Sequence, residues 1–161
     1  MINLKTLTDV HVAISLVAIL SGLIVLFGLL TGRRFDHWTS FFLVTTIATS
    51  VTGFFFPFHG ITPGIMGGII SLVVLAIAIF ARYPRKLAGA WRWLYVMTAT
   101  IALYLNVFAL IAQLFQNIPA MKALAPTQSD PPFLVAQLLA LIVFVVLGIL
   151  AASKFRPAPV A

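Results

Sequence analysis

The chain predicts an all-α fold, a polytopic transmembrane bundle of five helical spans, and three observations carry that expectation. Of its 161 residues, 62% are hydrophobic and only 8% are charged, whereas soluble domains carry about 25% charged residues. Mean hydropathy is +1.15, and several apolar runs approach the roughly 20 residues needed to cross a bilayer. Basic residues fall just beyond the ends of those runs, as they do when loops follow the positive-inside rule.

The first span is expected over about 10–31. It is longer than the apolar core of a signal peptide, and Arg33 and Arg34 follow it where a signal peptide would place its charges in front. It is therefore read as retained. After the loop "TGRRFDHW" the second span covers about 38–56. The stretch "PFHGITPG" then reverses the chain. Pro57 ends one helix, Gly60 eases the turn, and Pro63 suits the first position of the next helix. A single kinked helix over 38–82 would be about 60 Å long at 1.5 Å per residue, thicker than any bilayer. The third span covers 64–82, the loop "RYPRKLAGAWR" follows, and the fourth span covers 91–117. The connection "IPAMKALAPTQSDPP" leads to the fifth, 132–153, and no second domain interrupts 1–161.

The net charge of +7 does not point to nucleic acid, because its placement is that of membrane topology. Five crossings with the amino end outside put eight of the ten Lys and Arg in the cytoplasm and leave only Lys5 and Lys122 outside. The carboxyl end is then cytoplasmic. Trp38, Trp91 and Trp93 fall at cytoplasmic span ends, where amphipathic rings favour the headgroup zone. With no cysteine, disulfides and thiolate metal sites are excluded.

Small and hydroxylated residues suggest contact faces, since small side chains let helices approach closely in lipid. Gly64, Gly67, Gly68 and Ser71 share one face of the third span, and Thr45, Thr49, Thr52 and Gly53 share one of the second. In the fourth, Tyr95, Ala99, Ala102, Asn106, Gln113 and Asn117 form a stripe. Asn106 lies near mid-span, where an unpaired amide is costly. It is expected to face the bundle, bonded to a threonine of the second span or to a polar ligand. No Asp, Glu, Lys or Arg is expected inside a span, which argues against a proton- or ion-coupled pump.

The same topology gathers Asp9, His11, His59, Gln116, Gln128, Asp130 and Gln137 at the outer surface. Two histidines on neighbouring helices could ligate a haem or help hold a metal. No HxxxH or HExxH spacing supports either, so no cofactor and no metal is assigned and both histidines are read as interfacial. Asp130, before two prolines, is expected to help start the fifth helix as an N-cap. The preceding loop "LAPTQSDPPF" is expected to dock a partner or fold over the helix ends and close an amphiphile pocket. Enzyme motifs such as GxSxG and the phosphate-binding loop are absent. Asp9, Asp36 and Asp130 are the only acids, so no catalytic residue is assigned.

The phrases "TGFFFPF", "ALYLNVFALIAQLFQ" and "LAPTQSDPPF" resemble a group of small, uncharacterised bacterial inner-membrane proteins. That resemblance implies a location in the bacterial cytoplasmic membrane and brings no functional residue with it. The expected function is non-catalytic: binding of a lipid, quinone or other amphiphile, or of a membrane partner or second copy, through the periplasmic half. Asn106, Gln113 and Gln116 would line that site, with His11 and His59 at its mouth. The alternatives are a small transporter or channel subunit, with Asn106 and the threonine face as its path, and a b-type haem electron-transfer protein.

Overall fold

A computed structural model describes residues 3–156. Those residues form six helices and no strand: α1 (Leu4–Leu30), α2 (Asp36–Gly53), α3 (Pro63–Arg82), α4 (Ala90–Asn117), the short α5 (Pro119–Leu124) and α6 (Pro131–Lys154). α1 starts earlier than its apolar run does. Asn3 caps it by accepting the N–H of Lys5 at 3.2 Å, so a polar first turn is helical although nothing in its hydropathy marks it. α2 ends at Gly53 rather than at 56. Phe54, Phe55 and Phe56 donate to Val51, Thr52 and Gly53, three residues back, which tightens the chain out of the α-helix. Thr62 caps α3 with Pro63 in its first turn, as expected of the reversal.

By length and composition four helices can cross a membrane: α1, α3, α4 and α6. This differs from the expected five. α2 is the one left out, because its 18 residues start on Asp36 and His37 and hold five threonines and two serines, which dilute its apolar content.

The helices run alternately up and down. α4 is the hub: it packs against α1, α3, α5 and α6 and touches α2. Tyr95, Val96, Ala99, Ala102, Leu103 and Asn106 make its buried stripe. Gln113, also expected on this stripe, is exposed. α1 packs mainly on α2 through Ala18, Gly22 and Val25 among others. A Cβ on Gly22 would lie 2.6 Å from Leu103 Cδ1 and 2.8 Å from Phe42 Cε2, so only glycine lets α1, α2 and α4 meet there. The glycine face of α3 behaves differently from expectation. Of its glycines only Gly68 lies close against another helix's segment, at the Phe54 ring, whereas a Cβ built on Gly67 would meet nothing within 4 Å.

One charged side chain is drawn inward. Arg82, the last residue of α3, is 6% exposed. It pairs with Asp36 at the start of α2 and lies over the Tyr95 ring, 5.3 Å from its centroid. At the same end Arg92 donates to the carbonyls of Ala152 and Phe155, holding the close of α6 against the start of α4.

Candidate functional site

At the opposite end, the connection between α4 and α6 folds back on the helices. Pro119 opens α5 and the segment after it turns inward at Ala125, which is 3% exposed. Ala125 sits in a small core with Phe115 of α4 and Phe133 of α6. Those two rings meet edge to face, centroids 5.5 Å apart, an arrangement aromatic pairs favour. Asp130 begins α6, but its side chain does not cap the helix as expected. Its Oδ2 accepts the N–H of Thr127 at 2.7 Å and the Thr127 hydroxyl at 2.9 Å, fixing the loop instead.

The result is a half-open cleft of about 440 Å³, within the range of roughly 300–1,000 Å³ typical of small-molecule sites. Phe115 and Phe133 form its apolar part, with Ala125 and Pro126 beside them. Gln116, Asn117 and Gln128 bring amides, Thr127 a hydroxyl, and Lys122 an ammonium. Gln113 acts one step removed: the Asn117 amide donates to its Oε1 and to its backbone carbonyl, both at 2.9 Å. The lining is mainly polar, since Phe115 and Phe133 are themselves buried, and the arrangement can bind a polar head. It offers no paired acid and base.

Of the five residues expected to share a site, Gln116 lines this cleft and the others lie elsewhere. Asn106 is in the core, donating to Thr46 Oγ1 of α2 at 3.2 Å. His11 is half-buried between α1 and α2, its Nδ1 2.8 Å from Thr52 Oγ1 and its ring edge-on to Phe56. The Thr52 hydroxyl already donates to the carbonyls of Ala48 and Thr49. His59 is exposed in the hairpin. Gln137 of α6 is buried, donating to the Phe108 carbonyl at 3.1 Å, with its Oε1 unpartnered among the described residues. Thr45, Thr49 and Thr52 all bond back to carbonyls of their own helix. No group of three or more His, Asp or Glu that could hold a metal occurs among the described residues.

Sequence reasoning missed Lys122 as a site residue and missed the Asp36–Arg82 pair. The second had a signal: each residue stands where its helix meets the same connecting face, and Asp36 is the only acid there. Lys122 had none, because only the fold of residues 118–130 brings it to Gln116.

No protein-family model, curated protein or solved structure matches the chain.

Proposed function

We propose that this chain is a bacterial inner-membrane protein that binds an amphiphile in the cleft between α4, α5 and α6, without catalysing a reaction. The observation that carries the reading is the lining itself: a mainly polar rim of amides over the small exposed edges of two buried phenylalanines, at the end of a bundle whose long helices suit a bilayer. A polar head finds its partners there, and the ring edges leave room for the start of a tail. Location in the bacterial cytoplasmic membrane rests on the resemblance and on the distribution of arginines.

The proposal includes five crossings, with the amino end outside. α2 is the span in question, and its placement supports counting it. It runs antiparallel to α3 for its full length, Asp36 meeting Arg82 at one end and Phe54 meeting Gly68 near the other. Eighteen helical residues cover about 27 Å at 1.5 Å per residue, close to the roughly 30 Å of a hydrocarbon core. Thr39, Thr45, Thr49 and Thr52 donate to carbonyls one turn back, which reduces the cost of placing those hydroxyls in lipid. On this topology the cleft opens on the periplasmic side.

Native mass spectrometry of the full chain released from mild detergent tests the binding. Retained lipid or quinone is expected, and Gln116→Trp, which fills the cleft from its exposed rim, is expected to abolish retention. Release of the chain free of any amphiphile, or unchanged retention by Gln116→Trp, would sink the reading.

A further inference from the structure

We infer that the cleft selects amphiphiles whose head carries an anionic oxygen group of the phosphate or carboxylate kind, an inference that rests on the amphiphile reading above. Lys122 is the one formally charged residue on the lining. Among the described residues, ion pairs involve Asp36 with Arg34 and Arg82, and none involves Lys122. Asp130, the carboxylate nearest to it in sequence, is occupied by the two hydrogen bonds from Thr127.

Gln116 and Gln128 line the same cleft as the free ammonium, and their amides can each donate. A head with several acceptor oxygens and a negative charge answers this set of donors, because ionic hydrogen bonds are stronger than neutral ones. An uncharged head would satisfy the amides and leave the ammonium to solvent. The small exposed edges of Phe115 and Phe133 meet the first carbons of the tail. A free anion shares the head chemistry but makes no use of those edges, so the two sources can be separated by experiment.

The test uses the full chain in an uncharged detergent and three probes: dodecyl phosphate, dodecyl glucoside and inorganic phosphate. Dodecyl phosphate is expected to bind roughly tenfold more tightly than the glucoside, the scale of one partly exposed ionic hydrogen bond. Lys122→Gln should erase that difference and Lys122→Arg should keep it. Displacement by equimolar inorganic phosphate would support anion recognition and name the free ion as its source. Failure of inorganic phosphate to compete would support a lipid-like source. Equal binding of both dodecyl compounds, unchanged in Lys122→Gln, overturns the anionic selectivity and leaves the amphiphile site standing. Absence of binding by either dodecyl compound overturns both.

Discussion

Arg82 places a guanidinium where little water reaches, and Asp36, with its side chain 58% exposed, is its counter-charge. Asp36→Asn would leave a buried cation with its charge unmatched. Because the carboxylate is half in solvent, the expected loss is about 1–2 kcal/mol rather than the full cost of breaking a buried pair, read as a lowered thermal midpoint in detergent. Arg82→Gln in the same background should restore part of it, and a double-mutant cycle measures the coupling. Asn106 is a gentler case. Its bond to Thr46 joins α4 to α2, and interhelical bonds of this kind average about 0.6 kcal/mol in membranes. Asn106→Leu keeps the approximate volume and should lower the midpoint only slightly. A collapse of the fold would show that the amide does more than tie two helices. These pairings were only partly readable beforehand. A mid-span amide must find a partner, so a threonine of the second span could be named in advance. His11 could not be assigned to Thr52, because the depth of both side chains depends on how α1 and α2 are rotated.

Helices meet where side chains let them, and Gly22 marks the tightest meeting. Gly22→Ala puts a methyl against Leu103 and the Phe42 ring, and overpacking of this sort costs about 1–3 kcal/mol. Thermal unfolding followed by circular dichroism should show it, whereas Gly67→Ala, inside α3 with nothing for its Cβ to meet, should hold or raise the midpoint. The α3–α4 connection stores a different kind of cost. Lys86 and Leu87 both have positive φ, 50° and 59°, in a region that side chains other than glycine's enter at a penalty of roughly 1–2 kcal/mol. The buried Leu87 side chain holds them there as part of the main core, while Lys86 is exposed. Lys86→Gly is therefore expected to hold or raise the midpoint, and Leu87→Gly to lower it. "RYPRKLAGAWR" announced a loop, but the composition of that loop did not reveal which residue would turn inward.

Across the whole molecule the asymmetry is one of ends. Arg82 and Arg92 close the bundle at one end, and the cleft with Lys122 opens at the other. Since the chain has no cysteine, single-cysteine variants give clean topology. On the proposed topology, a cysteine at position 59 should react with an impermeant maleimide added outside intact cells, and one at position 85 only after permeabilisation. Equal reactivity of the two from outside would remove the five-crossing arrangement and the outward cleft together. Of His11, His59, Asn106, Gln113 and Gln116, only Gln116 lines the cleft. Topology puts most of these residues toward one end, but sharing an end is weaker than sharing a site.

What the amino-acid sequence determined alone is whatever depends on short stretches: apolar lengths, the proline-marked reversals, and which connections carry arginine. Such features follow from transfer free energy and local backbone geometry, which act residue by residue. Which polar groups meet was left to the tertiary structure. α6, and much of α1, are apolar on nearly every face, so no periodicity says which face turns inward. The long α4–α6 connection could fold over the bundle in many ways, and only packing of Ala125 with Phe115 and Phe133 chose the one that makes a cleft.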